Sequence, residues 1–266
     1  MRIESCCVGK AGLIAVILAM GVGSIQASTM STFNGPGGVI PDADPSGSPP
    51  GVVTSDIVVT DPGSICSSTL QPLDCNETNF VTVTITGLQH PNVGDLIATL
   101  TDVTPGISQD IFNRILKDPT NPDDFGCQCQ FNGTYSFSDQ SSSFPGDIWN
   151  VASDLGIGEV IPSGNYWTTT AGSNTPTSFS AAFGGLPAAG TWRLTISDNS
   201  PDVPPDNGSF LGWTLSLDVA DTTSVPEPAL SIPTGLLGLA FVLFQRSRSA
   251  DPPRRDCLPS RANFPA

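Results

Sequence analysis

His90 is the one histidine among 266 residues, and so the one side chain whose ordinary pKa suits general-base work near neutral pH. A serine or cysteine hydrolase needs such a base beside its nucleophile. His90 is followed by Pro91-Asn92, a turn signal, so its expected role is a structural hydrogen bond. A zinc centre is not expected, because a lone histidine would need cysteine partners that are oxidised after export.

Carboxylates are the larger chemical resource. Between Ser28 and Glu227 stand 22 acidic residues against three basic ones (Arg114, Lys117, Arg193), a net charge of −19. Such a surface repels a phosphate backbone, so no nucleic-acid partner is expected. Asp95 follows Gly94 at the start of a strand, and Asp198, Asp202 and Asp206 cluster in one Pro-rich stretch. Calcium takes about six to eight oxygen ligands, so these four aspartates are the candidate calcium ligands, with Asp198 the main contributor. The plain alternative is a solvated loop whose aspartates serve turns. Two carboxylates at a suitable separation could also hydrolyse a glycan, which keeps a secreted glycan-acting hydrolase as the alternative to a non-catalytic protein.

Four cysteines remain in the central region: Cys66, Cys75, Cys127 and Cys129. Cys66 and Cys75 flank a short polar loop and are expected to form a disulfide. A bond between Cys127 and Cys129, one residue apart, would be strained, and their pairing is left open. Tyr166, Trp149 and Trp167 lie in loop-like sequence, where aromatic rings either pack over a sandwich edge or stack on sugars.

The elements that must position these groups read as strands. Val81, Val83 and Ile85 alternate with Thr82, Thr84 and Thr86, and the same period of two recurs at Trp192, Leu194, Ile196 and at Trp213, Leu215, Leu217, Val219. Leu96 to Leu100 is a further strand and Ile57 to Thr60 a weaker one. Ile111, Phe112, Ile115 and Leu116 have helix-like spacing, which suits a short helix or a covered loop. Gly and Pro, 27 and 25 in number, with few charges, suit strands joined by turns. Residues 28–51, rich in Gly, Pro and Ser, read as a flexible lead-in, with folded structure beginning near Val52.

The two ends read as addresses. Arg2 and Lys10, an apolar run from Ala11 to Met20 and small residues up to Ala27 have the order of a secretory signal peptide over residues 1–27. Near the other end, Val225-Pro226-Glu227-Pro228, the apolar stretch 229–244 and then Arg246 and Arg248 resemble a PEP-CTERM sorting signal over residues 225–248. That resemblance implies a transient inner-membrane anchor in a bacterium with an outer membrane, with signal peptidase and an exosortase-type enzyme as processing partners. Its basic residues would hold the end on the cytoplasmic side. Residues 249–266 are an atypical extension, since such tails usually stop soon after the basic cluster.

Within the central region, His90-Pro-Asn-Val-Gly94-Asp95-Leu96, Leu100 and Pro105-Gly106 resemble the first half of the P domain (P/Homo B) of proprotein convertases. Phe183-Gly184-Gly185, then Gly190-Thr-Trp192-Arg-Leu194 with Asp198, then Gly208-Ser-Phe-Leu211-Gly-Trp213-Thr-Leu215, resemble its second half. The resemblance implies that residues 52–221 form an all-β, jelly-roll-like antiparallel β-sandwich of about eight strands. The convertase catalytic motifs do not accompany it. The expected protein is therefore non-catalytic, exported to the cell envelope or extracellular matrix, with an extracellular polysaccharide or a surface protein as partner.

Overall fold

The computed structural model describes residues 28–67, 75, 79–121, 124–202 and 207–220. The signal segment 1–27, the sorting tail 225–248 with its apolar stretch 229–244, the extension 249–266 and Asp206 lie outside the described residues.

The three clearest alternations become β4 (Val81–His90), β9 (Gly190–Asp198) and β10 (Gly208–Ala220). Around them stand β1 (Ser28–Ile40), β2 (Gly51–Val59), β3 (Ser64–Ile65), β5 (Leu96–Asp102), β6 (Ile107–Asn113), β7 (Phe131–Ser138) and β8 (Gly164–Trp167). The larger sheet has the order β1-β10-β4-β7-β8, with β3 also on β10, and the smaller one the order β2-β9-β5-β6. All pairings are antiparallel except β7 with β8. The protein is an all-β, jelly-roll-like antiparallel β-sandwich, and its chain passes repeatedly from one sheet to the other.

One core lies between the sheets. Val83, Ile85, Phe137, Trp213 and Leu215 from the larger sheet and Leu96, Ala98, Leu100, Leu194 and Ile196 from the smaller one belong to a single buried cluster. Burying side chains of this size contributes roughly 1.5–3 kcal/mol each, so the inward half of the alternation drives the fold. Trp192 and Trp213 are fully buried, and their indole nitrogens donate to Ala188 O (3.0 Å) and Ser55 Oγ (2.8 Å).

Two expectations are corrected here. Residues 28–40 of the expected flexible lead-in 28–51 form a strand instead, since β1 pairs with β10 along nearly its whole length, from Ser28↔Ala220 to Ile40↔Gly208. Its glycines permit close approach: a Cβ on Gly35 would run into the Trp213 indole. Pro36 is tolerated because β1 is an edge strand, and its carbonyl accepts the Ser55 hydroxyl (2.7 Å). The apolar spacing at Ile111, Phe112, Ile115 and Leu116 likewise forms no helix: Ile111 and Phe112 belong to β6, and Ile115 and Leu116 to the turn after it, with Ile115 buried. A register shift between β5 and β6 leaves Ile111 as the extra residue, so that Ile111 and Phe112 are both buried.

Cys66 and Cys75 form the expected disulfide. Cys127 and Cys129 are also bonded to each other, with Cα atoms 5.1 Å apart. Two disulfides fit a protein of an oxidising compartment. Among the described residues, no helix is long and apolar enough to cross a membrane.

Candidate functional site

The ends of β4 and β9 and the start of β5 meet at one rim of the sandwich. β5 pairs with β9 so that Leu96 faces Asp198, and a single 3₁₀ turn, Val93–Asp95, leads into β5. His90 closes β4. Asp95, Asp198 and His90, separated in sequence, thereby enter one buried corner.

His90 Nε2 donates to Asp198 Oδ2 at 3.1 Å, and neither side chain has any solvent exposure. Nδ1 of the same ring lies between the Asn92 amide nitrogen (3.2 Å) and the Asn92 carbonyl oxygen (3.0 Å). The other Asp198 oxygen accepts the Ser200 N–H at 3.1 Å. His90 is thus a hydrogen-bonding residue of the fold, and its partner is an aspartate that the sequence marked for a different role.

Asp95 is the unusual member. Its residue is 4% exposed, Oδ1 has no hydrogen-bond partner, and the Arg114 guanidinium stands off at 3.6 Å. Burial, followed by the charges of Asp198 and Asp202, pushes its carboxyl up to about 7, against the opposing pull of Arg114. The structure therefore brings Asp95, Asp198 and Asp202 into electrostatic range, but it spends much of their ligand capacity internally. Asp202 Oδ2 accepts Asn92 Nδ2 at 2.8 Å. Among the described residues, no group of three or more His, Cys, Asp or Glu side chains is placed to hold a metal ion.

A cleft of about 520 Å³ lies beside this corner, lined by Pro41, Asp42, Ala43, Pro45, Pro201, Asp202 and Asn207. Its carboxylates are also tied to the fold, since the Asp202 N–H points to Asp42 Oδ2 at 3.3 Å. Of the three aromatics expected in loops, Tyr166 and Trp167 stand in β8, and Tyr166 and Trp149 pack against the core. Tyr166 is 5% exposed, lies 6.2 Å from the Phe137 ring and donates its hydroxyl to Pro162 O (2.7 Å). Trp149 is partly buried in the short helix α1 (Ile148–Ser153) and donates to Thr169 Oγ1 at 3.2 Å.

One surface feature was missed as a unit by sequence reasoning. In register across the larger sheet stand Asn34, Thr214, Thr84, Ser136 and Asn165, one from each of β1, β10, β4, β7 and β8. A second row begins Thr32, Ser216, Thr82. Neighbours are linked side chain to side chain: Thr84 with Ser136 (2.8 Å), Thr214 donating to Asn34 (3.0 Å) and Thr32 with Ser216 (3.3 Å). In all six strands of this sheet Asp218 is the one Asp, Glu, Lys or Arg, and it is buried. The smaller sheet differs, carrying Asp56 and Arg193 as an exposed ion pair at 2.7 Å.

No family model matches the chain, and no curated relative matches it either. Among solved structures, the serine protease of Aeromonas sobria in complex with the chaperone ORF2 is similar at a TM-score of 0.32 and 13% identity, over 73% of this chain and 28% of that one. A second structure, of the serine protease of Aeromonas sobria, is similar at a TM-score of 0.31 and 15% identity, over 72% of this chain and 27% of that one. The chain thus spans less than a third of the protease chains it resembles, and at this level of likeness neither their activity nor their partner transfers to it.

Proposed function

We propose that this chain is a non-catalytic, exported protein of the cell envelope or extracellular matrix, whose P-domain-like sandwich holds a neutral polysaccharide against the outer face of its larger sheet. The observation that carries this reading is the row Asn34-Thr214-Thr84-Ser136-Asn165, uncharged in a region whose net charge is −19. Five strands at about 4.8 Å spacing make a platform about 19 Å across. Hydroxyl and amide groups both donate and accept, as glycan hydroxyls do. An anionic partner would meet the field of the acidic loops, whereas a neutral one would not. The tail at 225–248 then serves sorting through an exosortase-type system.

The test is co-sedimentation of the purified domain with insoluble neutral glucan, with anionic alginate gel as the comparison. Binding to glucan that weakens at least tenfold in Thr84→Lys/Thr214→Lys, and not in Thr99→Lys on the other sheet, supports the reading. Equal binding by all three proteins, or preference for alginate, overturns it. Reducing sugar released from glucan and abolished by Asp42→Asn/Asp202→Asn would favour the hydrolase instead.

Calcium belongs to the same proposal as a stabiliser. The buried Asp95 Oδ1, which has no hydrogen bond and only the Arg114 guanidinium at 3.6 Å, favours it, with Asp198 and Asp202 close enough to raise the Asp95 pKa. A divalent cation would neutralise this corner as effectively as a proton does.

A further inference from the structure

Cys127, Gln128 and Cys129 run between the 3₁₀ turn Val93–Asp95 and the segment that follows β6. Main-chain bonds hold them there: Gly94 N–H to Cys127 O (2.8 Å), Val93 N–H to Cys129 O (3.0 Å) and Cys127 N–H to Ile115 O (2.8 Å). None of these bonds involves sulfur, so the position of the segment does not depend on the oxidation state of the two cysteines.

The cross-link also constrains little. It joins residues at a sequence separation of 2, against 9 for Cys66–Cys75. Loop-closure entropy removed from the unfolded chain grows with loop length, so the shorter link adds the smaller stabilisation to the folded state. Opening it therefore costs the fold little, and a bond between cysteines one residue apart is strained by that spacing alone, which lets it open at milder reduction than Cys66–Cys75.

The lining of the site sets what can reach the bond. Both cysteines line an open cleft of about 220 Å³, which carries no charged side chain and includes Leu116, Ala152, Leu155 and Ile157. The residues are 4% and 1% exposed, so an incoming group is confined to the cleft side. Within the loop the Cys129 N–H points at Cys127 Sγ at 3.2 Å, a donor that favours a thiolate there once the bond is broken.

We propose that Cys127–Cys129 is a thiol–disulfide exchange site for small external thiols. A thiolate RS⁻ entering the cleft attacks Cys129 Sγ, the protein S–S bond breaks, and Cys127 leaves as the thiolate that the Cys129 N–H holds. The mixed disulfide R–S–S–Cys129 then meets a second RS⁻ at the sulfur of R, forming RSSR and releasing Cys129. The two protons of the two RSH molecules end on Cys127 and Cys129. The protein gains two electrons, the external thiol is oxidised, and the reverse sequence oxidises a dithiol partner by the same route.

The test equilibrates the full-length exported protein in glutathione buffers of graded reduced-to-oxidised ratio, followed by alkylation and peptide mass mapping. The expected result is half-opening of Cys127–Cys129 at a ratio at least tenfold less reducing than that for Cys66–Cys75, with unchanged circular dichroism. Cys127→Ser should accumulate a glutathione adduct on Cys129. The proposal is overturned if the two disulfides open together, if Cys127–Cys129 opens only in denaturant, if both cysteines are alkylated without any reductant, or if the variant carries no adduct.

Discussion

The imidazole of His90 and the carboxylate of Asp198 are bonded at 3.1 Å in a wholly buried corner, although 108 residues separate them in sequence. Removing one partner of such a pair strands the other without water. Asp198→Ala is expected to lose about 2–3 kcal/mol of unfolding free energy in urea titration. Asp56→Ala, which breaks the exposed pair with Arg193, should lose less than about 1 kcal/mol. Equal losses would show that the corner is hydrated and that the pair is not a structural bond.

Asp95 makes stability depend on pH. Its ordinary value is 3.8 and burial raises it to about 7, so between these values the folded chain keeps a proton that the unfolded chain has released. Unfolding free energy should therefore fall as pH rises from about 4 to 7 and then level off, by a few kcal/mol in total, on the order of 1.4 kcal/mol per pH unit. Asp95→Asn carries no titrating proton and should flatten this slope while raising stability at pH 8. Calorimetric melting across that range, for both proteins, checks the direction.

Calcium offers the same corner another way to lose charge. Addition of millimolar calcium should raise the melting temperature more at pH 8, where Asp95 is ionised, than at pH 5.5, where it is protonated, and chelator should reverse the gain. Saturation at a hundredfold excess over Kd corresponds to about 2.7 kcal/mol. A response that is equal at both pH values, or reproduced in full by magnesium, would place the ion elsewhere or nowhere.

Gly35→Ala tests the role of β1. A methyl group there meets the Trp213 indole, so the strand must shift or the ring must move, at a cost of about 1–3 kcal/mol. A flexible lead-in would accept alanine with no loss, or with a slight gain from the stiffer unfolded chain. Thermal denaturation of the single variant separates these outcomes by sign.

The Cys66–Cys75 bond encloses ten residues, and its loss in a Cys66→Ala/Cys75→Ala double variant should cost about 2.7 kcal/mol by loop-closure entropy. Urea midpoints of the oxidised wild type and the double variant supply the comparison. A difference below about 1 kcal/mol would mean that the loop is already ordered in the unfolded chain.

What the sequence determined by itself was local. Val81 to Thr86, Trp192 to Ser197 and Trp213 to Val219 alternate apolar and polar residues, and a period of two buries one face of a strand wherever that strand is placed. The disulfide at Cys66 and Cys75 was legible for the same reason, being a short-range pairing across one loop. Tertiary structure decided the rest, because register between distant strands is not written in either strand alone. Only against β10 do Gly35 and Pro36 become a docked edge, and only against β5 does Ile111 become a bulge in place of a helical residue. The meeting of His90 with Asp198, and the alignment of Asn34, Thr214, Thr84, Ser136 and Asn165, are likewise products of register: each strand supplies one ordinary polar residue, and their stacking into a corner or a row depends on which strands the core draws together.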